Sequence, residues 1–568
     1  MASPDDRKVV QPASTSSHGP SESPPSDVEA PQQRGVTRIE ALYKVLGKGA
    51  LGVWVFYVAI AAICYLTGLE GSTTGRYTPI VTSAFNDHSA LATIATAEGI
   101  MTAVCKPFIA KVADITSRQH AYLVVTTLYV LGFVIIASAR NITAVCIGRV
   151  LSTLGSAGLD LITDIIVADL TPLQWRGVMT ALTSAPYIIN AYVGSEIATH
   201  FIDMKNGWRW GYGMFCIMIP SVMTPALCVL FWADRKAQRQ GLLSFSASPY
   251  DTRSFFQLVR EFAIQIDLFG LLLLGFAWSL IFLPFTLAKN AKGGYDNPSM
   301  IAMLCVGFVL LIGFGIWEKF FARVPMMPKR ILTNRTFQMA VTIDIFYFMS
   351  GTLRSTYYSS YVYIVTNWNT RQWNYFLTTE TVGLCVFGIC AGLLQRATHR
   401  YKWIQLTGIC IRMLGMGITI YARGPNATTV ALVWTQILIS MGGACSVVGT
   451  RVASQGSVPH QDLATVIALL SLWTKLGGAM GSAIAGAVWT GNMLPNMERE
   501  LPQVSQTILK SLYASITTVK TKYAFGSEVR NGVIRAYDKT VLPLFVSSLC
   551  ISKSFRSPTL PFPVRMAR

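Results

Sequence analysis

The chain has 568 residues, of which 52% are hydrophobic and only 13% are charged, and its mean hydropathy is +0.44. A soluble protein of this length carries far more charge, so the composition excludes an ordinary soluble domain and indicates an all-α polytopic membrane protein. A net charge of +19 would suit nucleic acid, but the basic residues sit in short connectors between apolar runs, as cytoplasmic loops require, so no nucleic-acid partner is expected.

Residues 1–35 are rich in Ser, Pro, Gln and charge, and a disordered cytoplasmic tail is expected over 1–48. It is too polar and too long for a cleaved signal peptide, so the first apolar run reads as a signal-anchor helix. A spanning helix needs about 20 mostly apolar residues. Runs that meet this lie at 51–69, 89–110, 120–139, 141–168, 176–201, 211–233, 265–288, 299–318, 337–365, 376–394, 403–421, 428–450 and 463–490. With the N-terminus inside, the inner connectors carry most of the Lys and Arg, including the long loop 234–262. The polar stretch 492–540 then falls outside. The apolar run VLPLFVSSLCI after it covers only about half a bilayer, so 541–568 is expected to form a short or aberrant final segment with a divergent tail.

The most informative stretch is DLITDIIVADLTPLQWRG at 160–177. A carboxylate inside hydrocarbon is costly and usually faces a cavity where it has a task. Asp160 and Asp164 stand one helical turn apart on one face, and two close carboxylates do not both ionise cheaply. They are candidates for proton or substrate coupling; the plainer alternative is a structural ion pair, the role expected of Asp169. Arg149, in GRVLSTLGSAG, lies about 16 Å up the same helix and reads as a separate site. Glu70 and Arg76, in GLEGSTTGRYTP, are expected near the outer mouth, either beside a cavity or at an ordinary helix end.

In KPFIAKVADITSRQHAY, Asp114 and Arg118 are spaced for contact across an inner helix end. With Lys106, Lys111 and Arg176 they read as a conformational latch, or simply as residues that hold the loop inside. The ninth span carries Asp344, Arg354, Tyr347, Tyr357, Tyr358, Tyr361 and Tyr363. Tyrosines there suit a cavity for a bulky amphipathic ligand, or an aromatic belt. Arg412 and Lys475 lie deep in the C-terminal half and require a partner (Asp344 or Glu380), snorkelling or an anionic ligand. TKLGGAMGSAIAG at 474–486 reads as close helix packing. Asn141 and Asn426 head glycosylation patterns that lie very near the membrane. The 11 cysteines are scattered, Cys385 and Cys390 read as packing, and no metal or cofactor site is implied. Nothing resembles a phosphate loop or a nucleophile elbow, so an enzyme is not expected.

RIEALYKVLGKG, KPFIAKVAD, GLDLITDIIVADLTPLQWRG, APYIINAYVG, IDLFGLLLLGFAWSLIFLPFTLA and GGAMGSAIAGAVW resemble the fungal siderophore–iron transporters, fourteen-span members of the major facilitator superfamily. KPFIAKVADITSR is similar to the superfamily's loop motif between spans two and three, and GRVLSTLGSAG to its fourth-span arginine motif. The resemblance covers about 36–540. It implies a six-helix bundle at 49–233, a central helix pair at 263–320 and the remaining bundle helices at 336–491. It also implies ferric siderophore import with protons across the plasma or an endosomal membrane, by a monomer in the lipid bilayer. Hydroxamate siderophores are favoured by family habit, and Tyr513 and Tyr537 in the outer loop are expected to help capture ligand. PYIINA differs from the fifth-span motif of drug–proton antiporters. Two other readings stay open: a proton antiporter exporting glutathione or toxic compounds, and an inactive transporter remnant, the latter motivated by the last segment.

Overall fold

The computed structural model describes residues 50–115, 118–170, 186–240, 266–288, 293–323, 325–398, 401–424, 427–459 and 462–553, with a few isolated positions between 183 and 264. Among the described residues there is no strand, and fourteen helices of 18 residues or more follow one another. They are α1 (Ala50–Ala84), α2 (Ala90–Ile115), α3 (Arg118–Ser138), α4 (Ile142–Leu170), α5 (Pro186–Asp203), α6 (Trp208–Arg239), α7 (Leu268–Leu287) and α8 (Pro298–Ile316). The series continues with α9 (Arg335–Val365), α10 (Thr370–Thr398), α11 (Tyr401–Tyr421), α12 (Thr429–Gly456), α13 (Leu463–Glu500) and α14 (Glu528–Lys553).

Several helix starts are set locally by a side chain that satisfies otherwise orphaned backbone N–H groups. Asn334 accepts from Thr336 and Phe337 at the start of α9, and Asn297 precedes Pro298 at the start of α8. Asn141 accepts from the Ala144 N–H at 2.8 Å, so this residue of a glycosylation pattern caps α4. Among the described residues, nine helices are long and apolar enough to cross a membrane; α9, which holds Asp344 and Arg354, and α14 are not among them.

The contacts repeat. In the first half α1 packs on α5 and α6, α3 on α4 and α6, and α2 on α4. In the second half α9 packs on α13 and α14, α11 on α12 and α14, and α10 on α12. These are the same pairs shifted by eight helices, so α1–α6 and α9–α14 are two copies of one six-helix bundle. The halves meet through α2 on α13 and α5 on α10, again an equivalent pair. The helices α7 and α8 pack on each other, and α7 rests against α2 and α13. Gly477 and Gly481 lie where a Cβ would collide with the Ile345 and Met349 carbonyls, so α13 approaches α9 backbone to backbone, the close packing expected of this stretch.

Two boundaries differ from the sequence expectation. The first helix does not end near residue 69 but runs to Ala84, and within it the hydroxyls of the Thr-rich stretch are satisfied by bonding back along the helix, Thr73 to the Leu69 carbonyl at 2.9 Å and Thr78 to that of Thr74 at 3.3 Å. Glu70 therefore sits within the helix rather than at a mouth. The last apolar run is the second half of α14, a helix of 26 residues or about 39 Å. It buries Val533, Ala536, Tyr537, Val541, Leu544, Phe545, Ser548 and Ser552, spaced as one helical face. The expected outer loop 492–540 correspondingly contracts. It becomes a cap between α13 and α14 that includes short helices Gln506–Ala514 and Ile516–Lys522. Leu509, Leu512, Ile516 and Val519 of the cap are buried in the core of the second half.

Candidate functional site

In the first half, Arg149 of α4 donates from Nε to Glu98 of α2 at 2.5 Å, and the two side chains remain 11% and 23% exposed. Glu70 of α1 accepts from Thr74 at 2.8 Å and lies within electrostatic reach of both Arg149 and Asp160. Arg149 and Asp160, far apart along α4, are thus linked through Glu70. Asp160 is exposed although Leu159 and Leu161 on either side are fully buried, so its face of α4 borders accessible space inside the helical mass. Around it stand Lys106 of α2, Arg451 of α12 and Lys475 of α13, with Asp164 one turn along. Three cations from both halves converge on one accessible carboxylate. Lys106, read from sequence as part of the latch, and Lys475, read as part of the C-terminal cavity, meet here.

The second half is arranged differently. Arg354 is 1% exposed, and its guanidinium donates to Glu380 of α10 at 2.8 Å and to Gln436 of α12 at 3.1 Å, 4.8 Å from the Tyr358 ring centre. Asp344 is 3% exposed and accepts from Thr474 at 3.3 Å, and its second oxygen has no partner among the described residues. Arg412 is 3% exposed, lies 3.6 Å from the Tyr347 ring centre and donates to the Tyr347 carbonyl at 2.9 Å. Of the two partners expected for Arg412, Glu380 pairs with Arg354 and Asp344 bonds Thr474. Tyr357, Tyr358 and Tyr361 are buried, and their hydroxyls reach the Ser89 carbonyl, the Thr435 hydroxyl and the Gly424 N–H. In this structure these tyrosines are packed rather than open to a cavity.

One mouth between the halves is closed. At the C-terminal end of α5, Glu196 accepts from Arg371 of α10 at 2.6 Å and from Tyr375 at 2.5 Å. Thr370 bonds Asp203, Asn374 bonds Thr199, Ser195 bonds Thr378, and Arg76 of α1 donates to Thr378 at 2.5 Å. Beside α2 and α13, Tyr357 stacks on Trp489 with centres 4.1 Å apart, and His88 packs against both rings. The cap lies over this mouth. Tyr513 is on the cap, whereas Tyr537 is not: it belongs to α14, is 1% exposed and packs on Trp489 at 5.1 Å, because α14 begins at Glu528.

Of the remaining latch residues, Lys111 and Asp114 end α2 and Arg118 begins α3. Their side chains, and the whole of Arg176, lie outside the described residues. Residues missed from the sequence are Glu98, Gln436, His88 and Trp489. Glu98 had a signal, since ATAEGIMTAV is an acid in an apolar run. Among the described residues no group of three or more His, Cys, Asp or Glu could hold a metal ion.

A family model described as Major Facilitator Superfamily matches residues 49–346. The chain is 46% identical over 542 residues to a siderophore transporter of Mycosarcoma maydis, fer7, covering 92% of this chain and 82% of the relative. It is 40% identical over 524 residues to a siderophore transporter of Zymoseptoria tritici, covering 90% and 80%. It is also 41% identical over 532 residues to the low affinity heme transporter str3 of Schizosaccharomyces pombe, covering 92% and 84%. Among solved structures, a bacterial homologue of the human lysosomal transporter Spinster superposes with a TM-score of 0.57 at 12% identity, covering 90% of this chain and 97% of that one.

Proposed function

We propose that this chain, which belongs to the siderophore–iron transporter family of the major facilitator superfamily, imports ferric siderophores of the hydroxamate type together with protons, by alternating access between its two bundles. The observation that carries the reading is Asp160: an accessible carboxylate deep in the protein, faced by Lys106, Lys475 and Arg451 from both halves. The siderophore already surrounds its iron, so the protein need supply no iron ligands.

The positive-inside rule puts the basic connectors in the cytoplasm, so the sealed mouth faces outward. Lys475 and Arg451 already act on Asp160 in this state, and in the opposite, outward-open state, where the inner ends come together, ionised Asp160 draws them closer. A proton arriving from outside neutralises it, the inner ends separate, and the outer ends close through Glu196–Arg371 and the Tyr357–Trp489 stack. Proton loss inside restores the attraction and resets the carrier. A ligand shifts this balance only by its different affinity for the two states, so siderophore must bind the protonated carrier better for uptake to be coupled.

The reading is tested by uptake of labelled ferric hydroxamate siderophore into yeast lacking its own siderophore transporters, at acidic and neutral outside pH, with and without a protonophore. Accumulation that acid stimulates and the protonophore abolishes supports it. No accumulation by surface-localised protein would overturn it. The heme-transporting relative motivates a second reading, heme as cargo, and heme offered in the same assay separates the two by rank of uptake.

A further inference from the structure

The α1–α2 turn places one titratable side chain where the closed mouth is tightest. His88 is fully buried. Its Nδ1 lies 3.4 Å from the hydroxyls of Thr82 and Ser83, and its Nε2 has no partner among the described residues. Its ring meets Tyr357 of α9 at 6.3 Å and Trp489 of α13 at 6.2 Å, both in the opposite half. Its backbone N–H donates to the Ala514 carbonyl of the cap at 3.1 Å, and the cap is packed into the second half. One residue of the first bundle is therefore held by three elements of the second, and the bundles cannot part at this mouth without exposing the ring.

We propose that His88 is a proton-binding site of its own, separate from the carboxylates of α4, and that its protonation releases the outer mouth so that the carrier can load. This rests on the reading of that mouth as the outer one. The turn lies outside the spanning helices. Burial pushes the His88 ring down to about 4, with the Pro79 carbonyl acting weakly the other way. The other titratable groups near this contact are Asp87 on the same turn, Tyr357 of α9, Tyr513 of the cap and Tyr537 of α14. In the parted state the ring is hydrated and titrates near its ordinary value of about 6.5. The closed state binds the proton less tightly, so its advantage is complete above about 6.5 and is lost as pH falls from there toward 4. A carrier that takes up ligand from an acidified exterior is thus opened on the side where acid and ligand are found. The proton on Asp160 has the opposite effect, closing this mouth, so the two sites act in sequence.

The test measures the distance between spin labels at Lys205 and Arg499, one in each half beside this mouth, in purified protein without siderophore from pH 7.5 to 4.5. The His88 proton by itself is expected to raise the parted-to-closed ratio roughly seventyfold as pH falls from 7.5 to 4.5, and in wild type the opposing Asp160 proton offsets part of that rise. H88Q, neutral at every pH, is expected to change less than about twofold. H88R, cationic at every pH, is expected to be parted throughout. Asp160→Asn is expected to keep the acid-induced opening. The opposite behaviour of H88Q and H88R separates the proposal from simple damage to the fold. Acid-induced opening that survives when H88Q is added to Asp160→Asn, or no acid-induced opening in Asp160→Asn itself, would overturn it. Because the distances are read without transport, a carrier that opens normally but takes up no siderophore would refute the functional reading and leave this one standing.

Discussion

In the half formed by α1–α6, Asp160 is exposed, and the side chains of Glu98 and Arg149 keep 23% and 11% of their surface. In the half formed by α9–α14, Arg354, Asp344 and Arg412 are 1%, 3% and 3% exposed, and all three are bound by side chains or carbonyls of their own bundle. Two copies of one helical pattern thus place their charges in different surroundings. An accessible charge can exchange a proton or a ligand in a given state; a sealed one, bonded across helices, holds them together. On the proposed reading the first bundle supplies the central carboxylate of this state, and the second contributes Lys475 and Arg451 across the boundary, with Glu380 keeping 31% of its side-chain surface.

The largest effect that would sharpen this contrast is expected from Asp160→Asn, which removes the charge without changing the shape. Siderophore accumulation should fall to background while the amount and folding of membrane protein stay normal, measured by uptake and by size-exclusion of the detergent-purified protein. Next comes Arg354→Met. Arg354 is buried but Glu380 keeps 31% of its surface, so the loss falls below the roughly 3–5 kcal/mol of a wholly buried pair; the variant should still lose thermal stability and folded yield, and the double variant R354M/E380Q should regain much of it. If R354M folded like wild type but ceased to transport, the second bundle would be a working site and the contrast would break. The smallest effect belongs to Glu196→Gln, at an exposed ion pair worth about 0.2–1 kcal/mol. It should raise the parted population between Lys205 and Arg499 labels less than about fivefold, with unaltered stability.

The spans themselves were legible, since apolar runs of spanning length separate basic connectors, and so were the charged positions within them, because a charge in hydrocarbon stands out. The pairing was not. Glu98 and Arg149 are 51 residues apart in the chain, and Asp160 meets Lys475 and Arg451 only because α4, α12 and α13 converge between the bundles. No local pattern encodes such a meeting. Helix length failed for a related reason. The first part of α14, EVRNGVIRAYDKT, is polar on the face it shows outward and apolar only every third or fourth residue, so it does not read as a span. The short apolar run is thus the second half of a 26-residue helix whose first half is polar on its outward face. His88 was passed over because a single histidine in a turn carries no signal until the rings of the other half are seen around it.

The most direct test of coupling through Asp160 uses purified protein in liposomes with a pH-sensitive dye outside and no imposed gradient. Adding ferric hydroxamate siderophore should alkalinise the exterior as protons enter with the ligand, and the signal should be absent with Asp160→Asn. Alkalinisation that survives in Asp160→Asn, or siderophore entry with no proton movement in wild type, would contradict the account.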